Sequence, residues 1–543
     1  MEKKKEVEIS IMLDVSRNAV MQVSQVKKFV DYIALMGYSA LLLYTEDTYE
    51  IDGEPYFGFL RGKYTKEELK EIDAYCVKKG IELIPCIQTL AHLNGIFHWP
   101  VYEKIHDCAD LLLVGEEQTY ALIEKMLQTC KEVFTSNKIH LGMDETHNLG
   151  KGKYFKKNGY RPAHDIFNEH FKKVLAMAEG YGYECYLWSD MYFCFANNGT
   201  YAPEKCDEDI LAEAIAGAPK NATMCYWEYY SNDEKVYDKM LSLHKKYFDK
   251  VLFTGCARTE FGYVPLNKQS LKIAETSMRS VLKNEVDKVM VTCWGDGSAV
   301  CSFYSALPTI LAYAEFAKGN FDWQSIKDKF QQLFGITWDA FMLLDLPNEV
   351  GNPNMPFTNP SSYMLYNDFF VGTFDCTVKP GDGVVYKEYA QLLKPYRKHK
   401  EFGYIFDLAY QLCLVMDIKY ELGVKTRNAY LSKDKKTLKK LALNEYTAIQ
   451  KRLKRLFDAV ALVWETENKT TGAEVEDIKL GGIIQRAEHC KKLLLTHVKT
   501  DKEIPELSEK MLDFYGGGYE LSQKPIRCFA QYYLSVSPNR FYN

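Results

Sequence analysis

No two of the 15 cysteines are spaced C-x-x-C, so neither a thioredoxin-like redox pair nor a zinc site of recognised spacing is indicated. Their odd number and single scatter also argue against a disulfide framework. No uninterrupted apolar run approaches the roughly 20 residues that a membrane helix needs. The opening Met1-Glu2-Lys3-Lys4-Lys5-Glu6 is charged and has no apolar stretch of signal-peptide type. A reducing cytoplasm is therefore the expected compartment, with no membrane partner. Excess positive charge is missing as well. The 68 Lys and Arg against 73 Asp and Glu give a formal charge of −5 and a pI near 6.2, which excludes the basic face of a general nucleic-acid binder. There is no G-x-G-x-x-G after the first strand-like run and no phosphate-binding P-loop; Gly516-Gly517-Gly518 has no strand and helix around it and reads as a turn or linker. Seven of the 11 histidines lie between His92 and His170, but none forms an H-E-x-x-H or comparable pair, so neither a metal nor another cofactor is expected. No internal repeat or low-complexity segment is apparent.

Aromatic residues, by contrast, are plentiful. With 39 Tyr, 29 Phe and 7 Trp they make up 14% of the chain, and flat rings are what sugars stack on, although most such rings serve to fill cores. At 543 residues more than one core is expected. The first 320 residues alternate short apolar runs with amphipathic stretches. The runs are Glu8–Leu13, Ser39–Tyr44, Ile81–Ile87, Lys138–Gly142, Tyr183–Trp188, Ala222–Trp227, Lys250–Thr254 and Lys288–Trp294. Helical spacing appears between them, as in Val23–Met36, Lys66–Lys79, Glu116–Phe134, Ala163–Tyr181, Asp233–Phe248 and Asn267–Lys283. Eight strands alternating with eight helices predict an α/β fold, a (β/α)8 TIM barrel over residues 1–320. Beyond it the strand rhythm stops. Lys387–Lys419, Lys435–Val463 and Asp477–Val498 read as helices, so residues 321–543 are expected to form a mostly helical C-terminal domain. Its long apolar helix faces make a homodimer an expectation. Trp464-Glu465-Thr466-Glu467-Asn468-Lys469 reads either as a capped turn between helices or as a loop reaching a ligand.

A barrel of this kind carries its chemistry just past the C-terminal strand ends. Those ends supply Asp14 to Arg17, Thr45 to Asp47, Gln88 to His92, Met143 to His147, Trp188 to Asp190, Trp227 to Tyr230, Arg258 with Glu260, and Trp294 to Asp296. Three of eight strands end in Trp although Trp is only 7 of 543 residues, which suggests an aromatic-walled pocket ringed by carboxylates and Arg, as a polyhydroxyl ligand requires. Asp144 and Glu145 are adjacent there. Neighbours on an extended strand face opposite ways, so this pair cannot flank a glycosidic bond in the usual two-carboxylate manner, unless the chain is already turning. Mutual repulsion of the two anions would raise one pKa and favour a protonated acid.

Leu141-Gly142-Met143-Asp144-Glu145 resembles the fourth-strand motif of glycoside hydrolase family 20, the β-N-acetylhexosaminidases. Leu13-Asp14-Val15-Ser16-Arg17 is similar to that family's Asp-x-x-Arg, and Trp294-Gly295-Asp296 to its closing Trp-x-acid. A barrel at the N-terminus followed by helices resembles the branch containing the streptococcal N-acetyl-glucosaminidases. What the resemblance implies is substrate-assisted retaining hydrolysis of a small oligosaccharide or glycoconjugate with a terminal β-linked GlcNAc or GalNAc. Glu145 would be the acid and base, and Asp144 would orient the acetamido N–H. Arg17 and Asp296 would bind sugar hydroxyls; Trp188, Trp227 and Trp294 would enclose the acetamido methyl and the ring. One of Tyr192, Tyr229 and Tyr230 would donate to the acetamido oxygen, and His92 would support the acid. Three features depart from the family pattern. The third strand continues Gln88-Thr89-Leu90-Ala91-His92 in place of Pro-Gly-His, the closing acid is Asp rather than Glu, and the α/β domain that often precedes the barrel is not in this sequence. The competing readings are a catalytically silent sugar-binding barrel, which would not need both Asp144 and Glu145, and a barrel isomerase or lyase. The latter calls for a phosphate cradle that Thr254-Gly255-Cys256-Ala257 supplies poorly.

Overall fold

A computed structural model describes residues 7–201, 205–297, 299–350 and 359–512. Met1 to Glu6 and Gly516 to Gly518 lie outside them. Eight strands close into an all-parallel barrel in sequence order: β1 (Glu8–Asp14), β2 (Ala40–Tyr44), β3 (Glu82–Cys86), β4 (Lys138–His140), β5 (Glu184–Trp188), β6 (Thr223–Trp227), β7 (Val251–Cys256) and β8 (Lys288–Cys293). β8 pairs back onto β1, with Ile9 opposite Val289. The helices between them bury one stripe each. In Val23–Met36 that stripe is Val26, Phe29, Val30 and Ile33, at three- and four-residue spacing, and the helix stops at Gly37. Gly37 adopts φ 95°, which a residue with a Cβ rarely reaches, and its N–H closes onto Ile33 and Ala34. Thr65 and Glu68 form a reciprocal capping box that starts Lys66–Lys78, a contribution of about 1 kcal/mol.

Side-chain alternation along each strand builds both the core and the site. Met12, Leu42, Tyr44, Ile84, Cys86, Tyr186, Trp188, Cys225, Leu252 and Met290 form one buried cluster. Stepping by two from its members toward the C-terminal strand ends reaches Asp14 from Met12, Gln88 from Cys86, Trp227 from Cys225 and Trp294 by way of Thr292. The inward face of the barrel is thus apolar below and polar or aromatic at its mouth. A fully buried aliphatic in that cluster stabilises the fold by roughly 2 kcal/mol.

Two compact units emerge, residues 1–257 with 270–294 and 309–329, and residues 258–269 with 295–308 and 330–543. The loops after β7 and β8 therefore belong to the second unit. Within it Tyr263 donates to Glu476 at 2.8 Å, while Ser302 and Tyr404 both donate to Glu467, at 2.5 and 2.8 Å. Its longest helices are Gly403–Leu431, Glu445–Glu467 and Glu474–Thr500. The helix expected over Lys387–Lys419 is interrupted. Val385–Leu393 runs into a 3-10 turn, Lys394–Lys398, and the chain re-enters a helix only at Gly403. Pro395 has no N–H for a continuing helix, and a Cβ at Gly403 would overlap the Arg397 carbonyl oxygen. Lys435–Val463 likewise splits into Lys435–Leu443 and Glu445–Glu467 around Asn444. Trp464 lies in the last turn of the second, its Nε1 donating to the Lys469 carbonyl at 2.8 Å, so this segment is a capped turn. Among the described residues no helix is long and apolar enough to cross a membrane.

Candidate active site

β4 is short. It ends at His140, and the chain then turns sharply: Gly142, Met143 and Glu145 all sit at positive φ, 74°, 68° and 52°. Left-handed backbone at two non-glycine residues costs of order 1–3 kcal/mol each and persists only where the surroundings over-determine it. Here they do. Met143 N donates to Gln88 Oε1 at 3.1 Å, Glu145 N to Asp190 Oδ2 at 3.0 Å, and Thr89 Oγ1 to the Leu141 carbonyl at 2.8 Å. Gly142 N donates to His140 Nδ1 at 3.1 Å, and burial pulls the His140 imidazole down to about 3, which keeps it neutral. A Cβ at Gly142 would overlap the Gln88 side chain.

The turn gives the vicinal acids different environments. Asp144 is buried; its Oδ1 accepts from Gln88 Nε2 at 2.7 Å and its Oδ2 lies 3.3 Å from His92 Nε2. Glu145 has its side chain 51% exposed, with Oε2 3.6 Å from the same nitrogen. Burial pushes the Asp144 carboxyl up, but His92 and Gln88 outweigh it and hold the group below the usual carboxylate range. Burial likewise opposes the His92 imidazolium, and Asp144 overrides it, raising His92 to about 10. The expected elevation from like-charge repulsion therefore does not fall on Asp144. It falls on Asp190, buried against Asp144 and raised well above a normal aspartate, burial first and Asp144 second. Asp190 Oδ1 is buried and has no hydrogen-bond partner.

Arg17 is anchored on the other side of the mouth. Its Nε donates to Asp14 Oδ2 at 3.0 Å and its Nη1 lies 3.4 Å from Glu46 Oε1. Glu46 accepts from Tyr44 OH at 3.1 Å, and Tyr44 OH accepts from Gln88 Nε2 at 2.8 Å. A continuous polar chain thus runs from Arg17 through Glu46, Tyr44 and Gln88 to Asp144 and His92. Burial lifts Glu46 to about 7 in spite of Arg17. His92 N donates to Asp110 Oδ2 at 3.0 Å, which fixes a residue whose own φ is 56°.

The rings gather as a wall. Trp294 meets Tyr44 edge-on at 5.0 Å and Trp188 at 6.3 Å; its Nε1 donates to Tyr229 OH at 3.3 Å. Trp227 stacks on Tyr229 at 5.2 Å and meets Tyr201, tilted by 33°, at 4.1 Å. Trp188 is fully buried, with an unpartnered Nε1. Tyr230, half-buried, sits 6.3 Å from Tyr229. Tyr192 lies elsewhere. It is in the short helix Asp190–Phe195, its hydroxyl donates to Asn168 in the outer helix Ala163–Gly180, and its ring packs on Phe167 and Phe248. Asp296 begins the loop after β8, in the second unit, near Glu260. Among the described residues no group of three or more His, Cys, Asp or Glu side chains is placed to hold a metal ion.

Gln88, Asp190, Tyr44, Glu46 and Asp110 hold this site together, although the sequence motifs assign them no role. For Gln88 a signal existed, since it is the inward position next after Cys86. Asp110 stands 18 residues beyond His92 in a long loop, and only the fold brings it there.

Residues 10–250 match the glycosyl hydrolase family 20 catalytic domain, and residues 339–524 match the glycoside hydrolase 20C C-terminal domain. The chain is 22% identical over 350 residues to hexosaminidase D of Homo sapiens, covering 59% of this chain and 68% of that one. It is 26% identical over 165 residues to a beta-hexosaminidase of Akkermansia muciniphila, covering 25% of this chain but only 33% of the relative. A crystal structure of a beta-N-acetylhexosaminidase superposes with a TM-score of 0.48 at 17% identity, over 63% of this chain and 77% of the other.

Proposed function

The chain belongs to glycoside hydrolase family 20 and is an exo-β-N-acetylhexosaminidase; from that premise we propose that Asp144 and Glu145 divide the work of substrate-assisted hydrolysis between them. The observation that supports this most is the split between neighbours: one carboxylate is buried, doubly held and ionised, while the other stands at the solvent edge.

The acetamido carbonyl oxygen of the bound sugar attacks the anomeric carbon as the glycosidic bond breaks. Glu145 gives its proton to the departing oxygen, so the aglycone leaves neutral and an oxazolinium ion remains. The Asp144 carboxylate accepts from the acetamido N–H, turns the carbonyl oxygen toward C1, and offsets the positive charge that develops. A water then loses a proton to Glu145 while its oxygen bonds to C1, the ring opens, and the sugar leaves with retained configuration. Gln88 positions the Asp144 carboxylate and His92 keeps it ionised. Tyr229 is the favoured donor to the acetamido oxygen, because it belongs to the ring wall with Trp227 and Trp294, whereas the Tyr192 hydroxyl is committed to Asn168. Arg17 takes ring hydroxyls, and Asp296, two residues beyond Trp294, takes others on the strength of the family motif. A cytoplasmic home is part of the same proposal, supported by 14 described cysteines that are all free thiols.

A side-by-side assay of chromogenic β-N-acetylglucosaminide, β-N-acetylgalactosaminide and plain β-glucoside tests the mechanism. Only the acetamido sugars should turn over at an appreciable rate. Comparable turnover of the glucoside would mean that the acetamido group takes no part.

A further inference from the structure

Asp190 is buried against the vicinal acids, yet no step of the reaction above runs through it. It opens the short helix Asp190–Phe195 after β5, and the residue before it is tied to the next strand and to an outer helix. Ser189 N donates to the Cys225 carbonyl at 3.1 Å, and Ser189 Oγ lies 2.8 Å from His244 Nε2. His244 Nδ1 donates to the Met240 carbonyl at 2.7 Å, and burial pulls the imidazole down to about 4, which keeps it neutral. Its Nε2 therefore accepts from Ser189 Oγ. The backbone that presents Asp190 to the β4 turn is fixed from behind.

The two oxygens of Asp190 meet opposite conditions. Oδ2 accepts the Glu145 N–H at 3.0 Å, at a residue whose φ is 52°. Oδ1 is buried and has no partner. An ionised carboxylate offers about four acceptor sites, and burying it with one N–H donor is far more costly than burying the neutral acid. Its neighbours weigh the same way. Asp144 and Glu145 face it from the β4 turn, His92 from the loop after β3, Cys194 from its own helix and Tyr201 from the segment beyond. Burial keeps Cys194 and Tyr201 protonated. His92 is the cation among these groups, and its Nε2 lies 3.3 Å from Asp144. That ion pair leaves no counter-charge for a second buried anion.

We propose that Asp190 is the positioning residue of the general acid and works as a neutral carboxylic acid, its Oδ1 keeping a proton while its Oδ2 holds the Glu145 N–H throughout the reaction. This deepens the reading of Glu145 given above and rests on it. Without the clamp the Glu145 backbone would relax from its left-handed conformation and carry the carboxyl away from the glycosidic oxygen. With a neutral Asp190, Asp144 is the one buried anion beside Glu145, so Glu145 can ionise as it gives up its proton.

The test uses the full chain with Asp190→Asn and Asp190→Ala, on an acetamido glycoside with a good leaving group and on one with a poor one. The amide copies the neutral acid, with an oxygen to accept from Glu145 N and an N–H in place of the O–H. Asp190→Asn should therefore lose no more than about threefold in kcat/KM and keep the alkaline limb of its pH profile in place. Were Asp190 ionised, removing its charge would make Glu145 a stronger acid. The limb would then move down by about half a unit or more, and that shift would overturn the proposal. Asp190→Ala removes the clamp and should lower kcat about a hundredfold on the poor leaving group and about tenfold or less on the good one, with little change in KM. An equal loss on both substrates, or none on either, would remove Asp190 from placing the acid. If the alanine variant does not fold, the pH profile of Asp190→Asn decides alone. Glu145→Gln on the same two substrates separates the two readings. A leaving-group-dependent loss there, beside an equal loss in Asp190→Ala, keeps Glu145 as the acid and sinks only the role of Asp190. An equal loss in Glu145→Gln sinks both.

Discussion

The two ends of the barrel carry similar charges and treat them in opposite ways. At the N-terminal ends of the strands Lys138 reaches Glu82 at 2.7 Å and Glu8 at 3.7 Å, and Ser136 donates to Glu82 at 2.6 Å. These groups are partly open to water, and each is served by a neighbour. At the C-terminal ends Asp144, Asp190 and Glu46 are buried, their pKa values are displaced, and atoms such as Asp190 Oδ1 and Trp188 Nε1 have no partner. A buried polar atom without a hydrogen bond costs on the order of 1–3 kcal/mol. Several such atoms gather at this end, where a bound sugar completes the set. The lower end serves stability and the upper end chemistry, although the same strands supply both.

Substitution should widen that contrast, and the largest effect belongs to the acid. Glu145→Gln should lower kcat on a saccharide with a poor leaving group by about a thousandfold, and far less on one with a good leaving group. Equal losses in steady-state kinetics would remove Glu145 from the acid role. Asp144→Asn should cost about a hundredfold or more in kcat on any acetamido substrate. It should also bring His92 down from about 10 toward its ordinary 6.5, a change that NMR titration of the imidazole would read.

The same pair sets a pH window for stability. The raised His92 stabilises the fold fully below 6.5, and that contribution disappears as pH climbs through about 10. The depressed Asp144 contributes above 3.8 and loses its contribution as pH falls below that. Melting curves of the enzyme and of Asp144→Asn should therefore differ most between those limits and converge outside them; a constant offset across pH would contradict the pairing. Gln88→Leu keeps the volume and removes both clamps, on Asp144 and on Met143 N, so kcat should drop about tenfold with KM changing less. At the other end, Lys138→Met should leave kcat/KM untouched and shift stability by no more than about 1 kcal/mol in chemical denaturation. A large activity loss there would break the contrast between the two ends.

Much of this architecture is legible in the chain. The run Glu8–Leu13 became Glu8–Asp14, and Val23–Met36 and Asn267–Lys283 matched to the residue, because a two-residue or 3.6-residue burial period is a local property. The helical breaks near Pro395 and Asn444 were less so, since apolar spacing continues across them while the backbone does not. For the site, Asp144, Glu145, Arg17 and the three tryptophans are consecutive with strand ends and could be found by counting. His92 could be found only loosely, at φ 56° in a loop that lacks the expected Pro-Gly-His.

By itself the sequence determined the eight-fold alternation, the polar and aromatic caps on the inward faces, and the vicinal acids after the fourth strand, because each depends on residues close together along the chain. Only the tertiary structure decided which acid is buried, that Gln88 and His92 converge on it from another strand, and that the upward push on a carboxyl falls on Asp190 rather than Asp144. Ionisation depends on the distance to water and to other charges, and those distances are made by strands that meet only when the barrel closes.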